Sequence, residues 1–308
     1  MSNYVKSFAD LIGNTPLMEL CNLKNELELS ANIFAKLEFL NPAGSIKDRA
    51  ALYMINDAEE KGLLSAGGTV IEATSGNTGI GLAAVCTARG YDAVIVMPDT
   101  MSVERIKIME SFGAKVVLTD GKYGMSGAIK KAEEIKEQTE NSIIAGQFYN
   151  PSNPKAHFET TGPEIFSALD GKIDALVCGV GTGGTITGIG RYLKSKNPDI
   201  KVIAVEPKSS PVLSEGVSGS HKIQGIGANF VPENLDTDIY DKIITVADDD
   251  AFEYARLVCK RESLSVGISA GAALCAAVSL AKESDMQGKN IVVVFPDTAS
   301  RYLSTELF

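Results

Sequence analysis

At 308 residues, 44% apolar and 22% charged, the chain is long enough for two domains and has the balance of an ordinary globular protein. A net charge of −10 with no long basic stretch excludes a surface that tracks a phosphate backbone, so no nucleic-acid partner is expected. The start, MSNYVKSFADLIGNTPL, holds no apolar core of signal-peptide length, and no window reaches the apolar run of a membrane span, so a cytoplasmic location without membrane contact is expected. An acidic surface does little to attract anions from a distance, so any anion site has to be built locally from backbone N–H groups and dipoles.

In chain order the pattern is a short apolar run, a glycine-rich turn and an amphipathic stretch. Strands are predicted over 70–73, 93–97, 116–119, 143–146, 175–180, 202–205 and 291–295. They are rich in Val and Ile, as parallel strands buried on both faces should be. Helices are predicted over 46–61, 80–89, 102–112, 126–139, 186–195, 249–262 and 270–281. Three of them run into glycine at the expected C-terminal place, at Lys61-Gly62, Arg89-Gly90 and Phe112-Gly113. The alternation means an α/β protein, and there is too much of it for one open sheet; two sheets, one in each half, are expected.

Asn41-Pro42-Ala43-Gly44-Ser45-Ile46-Lys47-Asp48-Arg49 opens the first long helix. Ser45 with Asp48 three residues on resembles a capping box, which puts Lys47 in the first turn. The helix dipole disfavours a cation there and favours the neutral amine, the form that attacks an aldehyde. Taken alone, such a lysine is usually a surface residue.

Two later units are built alike: a strand, a loop of Gly, Thr and Ser, and a helix. The loops are Thr74-Ser75-Gly76-Asn77-Thr78-Gly79 and Gly181-Thr182-Gly183-Gly184-Thr185. Small residues let the backbone curl and aim N–H groups at one point, and the helix adds the positive end of its dipole. One such loop is often only a tight turn; two point to a ligand or ligand pair with two anionic groups. A fourth segment, Val266 to Ala273, is rich in small residues and opens an apolar helix, where Ser269 is either an N-cap or a ligand group.

The five cysteines form no C-x-x-C; Cys86, Cys178 and Cys275 sit in apolar runs and read as small buried hydrophobes. The two histidines, His157 and His221, are too few for a histidine-based metal centre, and no metal is expected. His157 reads as a surface or structural histidine. A rival reading is open: Gly179, Gly181 and Gly184 make G-x-G-x-x-G after a strand, with Glu206 closing the next strand, as in an NAD-binding dehydrogenase. That reading leaves Lys47 and the 74–79 loop without a task, as does a non-enzymatic binding module.

Together these segments resemble the cysteine synthase (O-acetylserine sulfhydrylase) family, enzymes of pyridoxal 5′-phosphate (PLP) with fold type II, the tryptophan-synthase-β-like fold. The resemblance runs from Ile12-Gly13-Asn14-Thr15-Pro16-Leu17 to Arg301-Tyr302-Leu303-Ser304-Thr305. It implies two domains, each a twisted, mostly parallel sheet flanked by helices, with PLP in the cleft between them: a smaller one over 38–148, and a larger one from 1–37 and 149–308. It implies Lys47 as the PLP lysine and Asn77 at the cofactor's 3′-oxygen. Thr74, Ser75, Asn77, Thr78 and Gln147 would hold the amino acid. Gly181, Thr182, Gly183, Gly184 and Thr185 would cradle the phosphate, Ser269 would face the pyridine nitrogen, and Gly225, in Gln224-Gly225-Ile226-Gly227-Ala228, would line the other side of the cofactor and the substrate. A phosphate and a carboxylate are the two anions that the two loops call for.

The implied reaction is β-replacement of O-acetyl-L-serine by sulfide through an α-aminoacrylate, giving L-cysteine and acetate, in a cytoplasmic homodimer with serine acetyltransferase as a partner. Cystathionine β-synthases of the short type, cysteine lyases that release hydrogen sulfide, and serine or threonine dehydratases are the related alternatives. The chain departs from the family's usual pattern at Asn229, where glycine is common, and over 296–301, where a glycine-containing segment is usual. Asn229 reads either as a group at the rim that orients a nucleophile, or as a left-handed turn former.

Overall fold

The computed structural model describes residues 4–308; residues 1–3, the first of the stretch read for a leader, lie outside the described residues. The chain divides into two compact units. The first holds Asn41–Asn153 with the described residues up to Gly13, and the second holds Asn14–Leu40 and Pro154–Phe308. The divisions fall near 38 and 148, but the stretch before Asn14 goes with the first unit, not with the larger one.

Among the described residues the strands are β1 (Leu17–Glu19), β2 (Asn32–Leu37), β3 (Thr69–Ala73), β4 (Asp92–Pro98), β5 (Lys115–Thr119), β6 (Ser142–Ile144), β7 (Ala175–Gly179), β8 (Lys201–Pro207), β9 (Lys242–Val246) and β10 (Asn290–Phe295). The helices that matter for the site are α1 (Lys47–Glu60), α2 (Asn77–Arg89), α3 (Val103–Ser111), α4 (Gly124–Gln138), α5 (Gly184–Lys196), α6 (Asp248–Glu262) and α7 (Ile268–Ala281).

The first unit carries a parallel sheet in the order β5-β4-β3-β6. Successive residues of β3 face opposite sides, as the pleat requires. Val70 joins the core of α1, α2 and α3 with Met54, Leu82 and Met109. Ile71 joins the other face, with Ala128 and Ala132 of α4. Helix α2 ends as its sequence predicts, with Gly90 in the left-handed conformation.

The second unit carries the sheet β1-β2-β10-β7-β8-β9, parallel except for β1 against β2. Helix α7 is buried almost throughout and packs on α6, where Gly271 lies against the backbone of Ala251 and Ala255. The fold class is the one expected, two parallel α/β sheets flanked by helices. Strands β1, β2 and β9 were not expected. β1 has three residues, β9 is an edge strand with a half-exposed pattern, and β2 carries Lys36, which breaks its apolar run. That lysine is buried because Nζ donates to the Thr15 carbonyl and to Glu164 Oε2, each at 2.6 Å.

No described helix is long and apolar enough to cross a membrane. Cys86 and Cys178 are buried, and burial pushes the Cys86 thiol up to about 12 and the Cys178 thiol higher still. Cys275 is only half-buried, less than its apolar run implies, because it lies on α7 toward the charged residues Asp250 and Glu253.

Candidate active site

In the first unit the chain passes from β3 to β4 to β5, then returns to the other side of β3 as β6. All four strands are parallel, so the loops leaving β3 and β6 diverge at their carboxyl ends, and such a switch point is where open α/β sheets bind ligands. The 74–76 turn leaves β3 into α2, and 145–147 leaves β6. The structure joins the two: Thr78 Oγ1 donates to Gln147 Oε1. Thr74 Oγ1 accepts from the Gly76 amide at 3.2 Å, which tightens the turn. Arg105 of α3 reaches the Ser75 carbonyl at 3.4 Å. Asn77 is the first residue of α2, and Gly76 before it caps with no side-chain bond.

Lys47 is the first residue of α1. The capping box takes a different form from the one predicted. Ser45 Oγ accepts from the Lys47 amide at 3.2 Å, and Asp48 Oδ2 accepts from the Ala43 amide at 2.7 Å. Both side chains hold the helix start, but on earlier donors than a box with Ser45 as N-cap uses. Lys47 is half-buried, and its backbone lies against Gly81 of α2. The first unit thus brings together α1's lysine, the 74–78 loop and Gln147.

The second unit has its own switch point. The chain runs β7, β8, β9 to one side, and β10 returns on the other side of β7. The 181–183 turn leaves β7 into α5. Gly183 has φ +79°, and a β-carbon there would lie 2.7 Å from Leu235 Cα, so only glycine fits. A β-carbon on Gly181 would strike the Gly225 carbonyl. Gly225 in turn lies 3.5 Å, at its absent Cβ, from Ser269 Oγ. The glycine loop, Gly225 and Ser269 are therefore neighbours. Ser269 is not the N-cap of α7; Gly267 is, so the hydroxyl sits on the second residue of the helix.

Of the two readings of His157, surface or structural, the structure bears out the structural one. The residue is 1% exposed, on a single π-helical turn (His157–Thr161), with Nδ1 2.9 Å from Thr161 Oγ1 and Nε2 3.4 Å from Thr185 Oγ1. The signal that could have found it is Gly188, one turn beyond Thr185, whose missing side chain admits the backbone of Pro154 and the His157 Cβ. Asn229 has φ +66°, is exposed, and accepts from Ser210 Oγ at 2.7 Å.

Glu206, the acid of the dinucleotide reading, is buried and committed elsewhere. Its carboxylate accepts from the amides of Leu213 at 2.7 Å and Ser214 at 3.1 Å, and from Ser214 Oγ. It caps a short helix, so it has no ribose hydroxyl to serve. Among the described residues no group of three or more His, Cys, Asp or Glu could hold a metal ion.

The chain matches the family model described as pyridoxal-phosphate dependent enzyme over residues 8–297. It is 50% identical over 305 residues to a cysteine synthase of Staphylococcus aureus, covering 99% of this chain and 97% of that one. A cysteine synthase structure from Entamoeba histolytica superposes with a TM-score of 0.96 at 42% identity, covering 100% of this chain and 91% of that one. The structure of a hydrogen sulfide-producing enzyme from Fusobacterium nucleatum gives 0.93 at 46% identity, over 97% and 100%. With two such switch-point loops and a lysine at a helix start already in place, these matches settle the family: the chain belongs to the pyridoxal-phosphate dependent enzymes.

Proposed function

We propose that the chain catalyses β-replacement of O-acetyl-L-serine by sulfide, giving L-cysteine and acetate. The observation that carries this is the full-length 50% identity to a cysteine synthase. The residues fit PLP. The 181–185 turn is backbone at a helix start, held in a course that neither Gly181 nor Gly183 could keep with a β-carbon, and such a turn can offer N–H groups to a phosphate. PLP, when bound, supplies the electron sink that stabilises a carbanion at Cα.

In this reading Gly181, Thr182, Gly183, Gly184 and Thr185 of the second unit hold the phosphate. Ser269 would donate to the pyridine nitrogen, and Gly225 would line the cofactor. A hydroxyl is a weaker partner there than a carboxylate, leaves the nitrogen largely unprotonated, and favours β-elimination over transamination. In the first unit Lys47 would supply the amine that holds the cofactor, and its Nζ would be the base that takes the substrate's α-proton. Asn77 bonds the 3′-oxygen. Thr74, Ser75, Asn77, Thr78 and Gln147 receive the substrate carboxylate, through the loops at the first sheet's switch point.

The likeness to a hydrogen sulfide-producing enzyme favours a second reading, in which the same residues act on cysteine and release sulfide. The chain is further proposed to act as a cytoplasmic homodimer with serine acetyltransferase as a partner. Product analysis with O-acetylserine, serine, cysteine and sulfide separates the reactions. Cysteine from O-acetylserine and sulfide, at a rate well above sulfide release from cysteine, is the expected result; the reverse order selects the second reading.

A further inference from the structure

Glu72 has no task in the reaction as described. It lies on β3, two residues before Thr74, and is 3% exposed. Strand β6 pairs with β3 only as far as Ile71↔Ile144. Beyond that point the Glu72 carboxylate takes over from the strand ladder. Oε2 accepts from the Gly146 amide at 2.7 Å and Oε1 from the Gln147 amide at 3.4 Å. It also accepts from the Gln147 side-chain amide. The Gln147 Oε1 accepts in turn from Thr78 Oγ1. An ionised carboxylate accepts only, so it turns the NH₂ end of Gln147 toward itself and the carbonyl end toward Thr78.

We infer that Glu72 is the positioning residue that sets the amide orientation of Gln147 and the course of 145–147, and so tunes the first unit for a carboxylate ligand. The inference rests on the proposed reading of that loop as the seat of the substrate carboxylate. In that relay the Thr78 hydroxyl proton goes to Gln147 and one Gln147 NH₂ proton to Glu72, which leaves the second NH₂ proton to meet an anion. Burial raises the Glu72 pKa to about 7 against these same three bonds, which lower it, and no charged side chain takes part. Above pH 7 the carboxylate is ionised and the relay is complete.

Calorimetric binding to the PLP-loaded enzyme at pH 8 tests the inference, with L-alanine and L-alaninamide as probes. L-alanine has no β-leaving group and is not consumed, and the amide differs only in lacking the carboxylate. The parent enzyme should prefer L-alanine; equal affinities would overturn the carboxylate reading itself. In Glu72→Gln the new NH₂ opposes the Gln147 NH₂, so the preference should fall by about ten-fold, with the PLP dissociation constant unchanged. A general loosening would weaken both probes alike and keep their ratio. An unchanged ratio in a folded Glu72→Gln enzyme, beside a clear preference in the parent, overturns the inference. Glu72→Asp keeps an acceptor-only group one methylene shorter and should give an intermediate ratio. If Glu72→Gln does not fold, a parental ratio in Glu72→Asp overturns the inference instead.

Discussion

Gly81 of α2 lies so near Lys47 that a β-carbon on it would sit 3.1 Å from the lysine's carbonyl oxygen and 3.3 Å from the Asp48 amide nitrogen. The start of α1 is thus set by what α2 lacks. Gly81→Ala should push the lysine's backbone by a few tenths of an ångström and slow turnover about three- to ten-fold; Gly81→Val should slow it further. Turnover of O-acetylserine with sulfide, together with thermal unfolding of both variants, checks this. Equal rates in all three proteins would mean that α1 yields freely.

The phosphate loop should tolerate loss of a hydroxyl better than gain of a side chain. In the proposed reading Thr182→Val and Thr185→Val would each give up one charge-assisted hydrogen bond, worth about 1–3 kcal/mol. Gly183→Val adds a branched side chain at φ +79°, against the Leu235 backbone. The PLP dissociation constant should therefore rise most in Gly183→Val; an unchanged constant there refutes the cradle.

Glu72 makes stability depend on pH in an unusual direction for a carboxylate. Burial raises its folded-state value from 4.5 to about 7. Between those values the folded chain holds a proton that the unfolded chain has released, so stability falls as pH rises through this window. The contribution lost is about 3 kcal/mol. Glu72→Gln should remove that fall. Denaturant midpoints of the two proteins from pH 4.5 to pH 8 test it, and parallel curves would contradict it.

Asn229 is one of two departures from the pattern that the resemblance implies, and its left-handed φ together with the Ser210 bond is the geometry of a turn former. Asn229→Gly should leave the ratio of sulfide to water addition unchanged, with stability altered by less than about 1 kcal/mol. A shifted ratio would place the residue among those that choose the nucleophile.

Much of this arrangement is legible from the chain. Strands such as β3, β4, β7 and β10 are apolar on both faces and read directly as buried parallel strands. The 74–79 and 181–185 loops read as anion cradles because Gly, Thr and Ser are dense where a strand meets a helix. What was not legible depends on partners remote in sequence. Lys36 is buried only because Thr15 and Glu164 meet it. His157 reaches Thr185 through a π-helical turn that leaves no periodic trace. Glu72 looks like an interruption in VIEA until β6 stops short and leaves two amides for it to hold.

Lys47 is proposed to carry PLP in an enzyme that turns O-acetyl-L-serine and sulfide into L-cysteine and acetate. The most direct test is cysteine formation by the PLP-loaded parent and by Lys47→Ala, with the absorption spectrum recorded beside it. The parent should form cysteine and acetate in equal amounts. Lys47→Ala should show no turnover and no violet band of lysine-bound PLP, even where PLP is retained through its phosphate. Near-parental rates with that band intact in Lys47→Ala would contradict this role of Lys47.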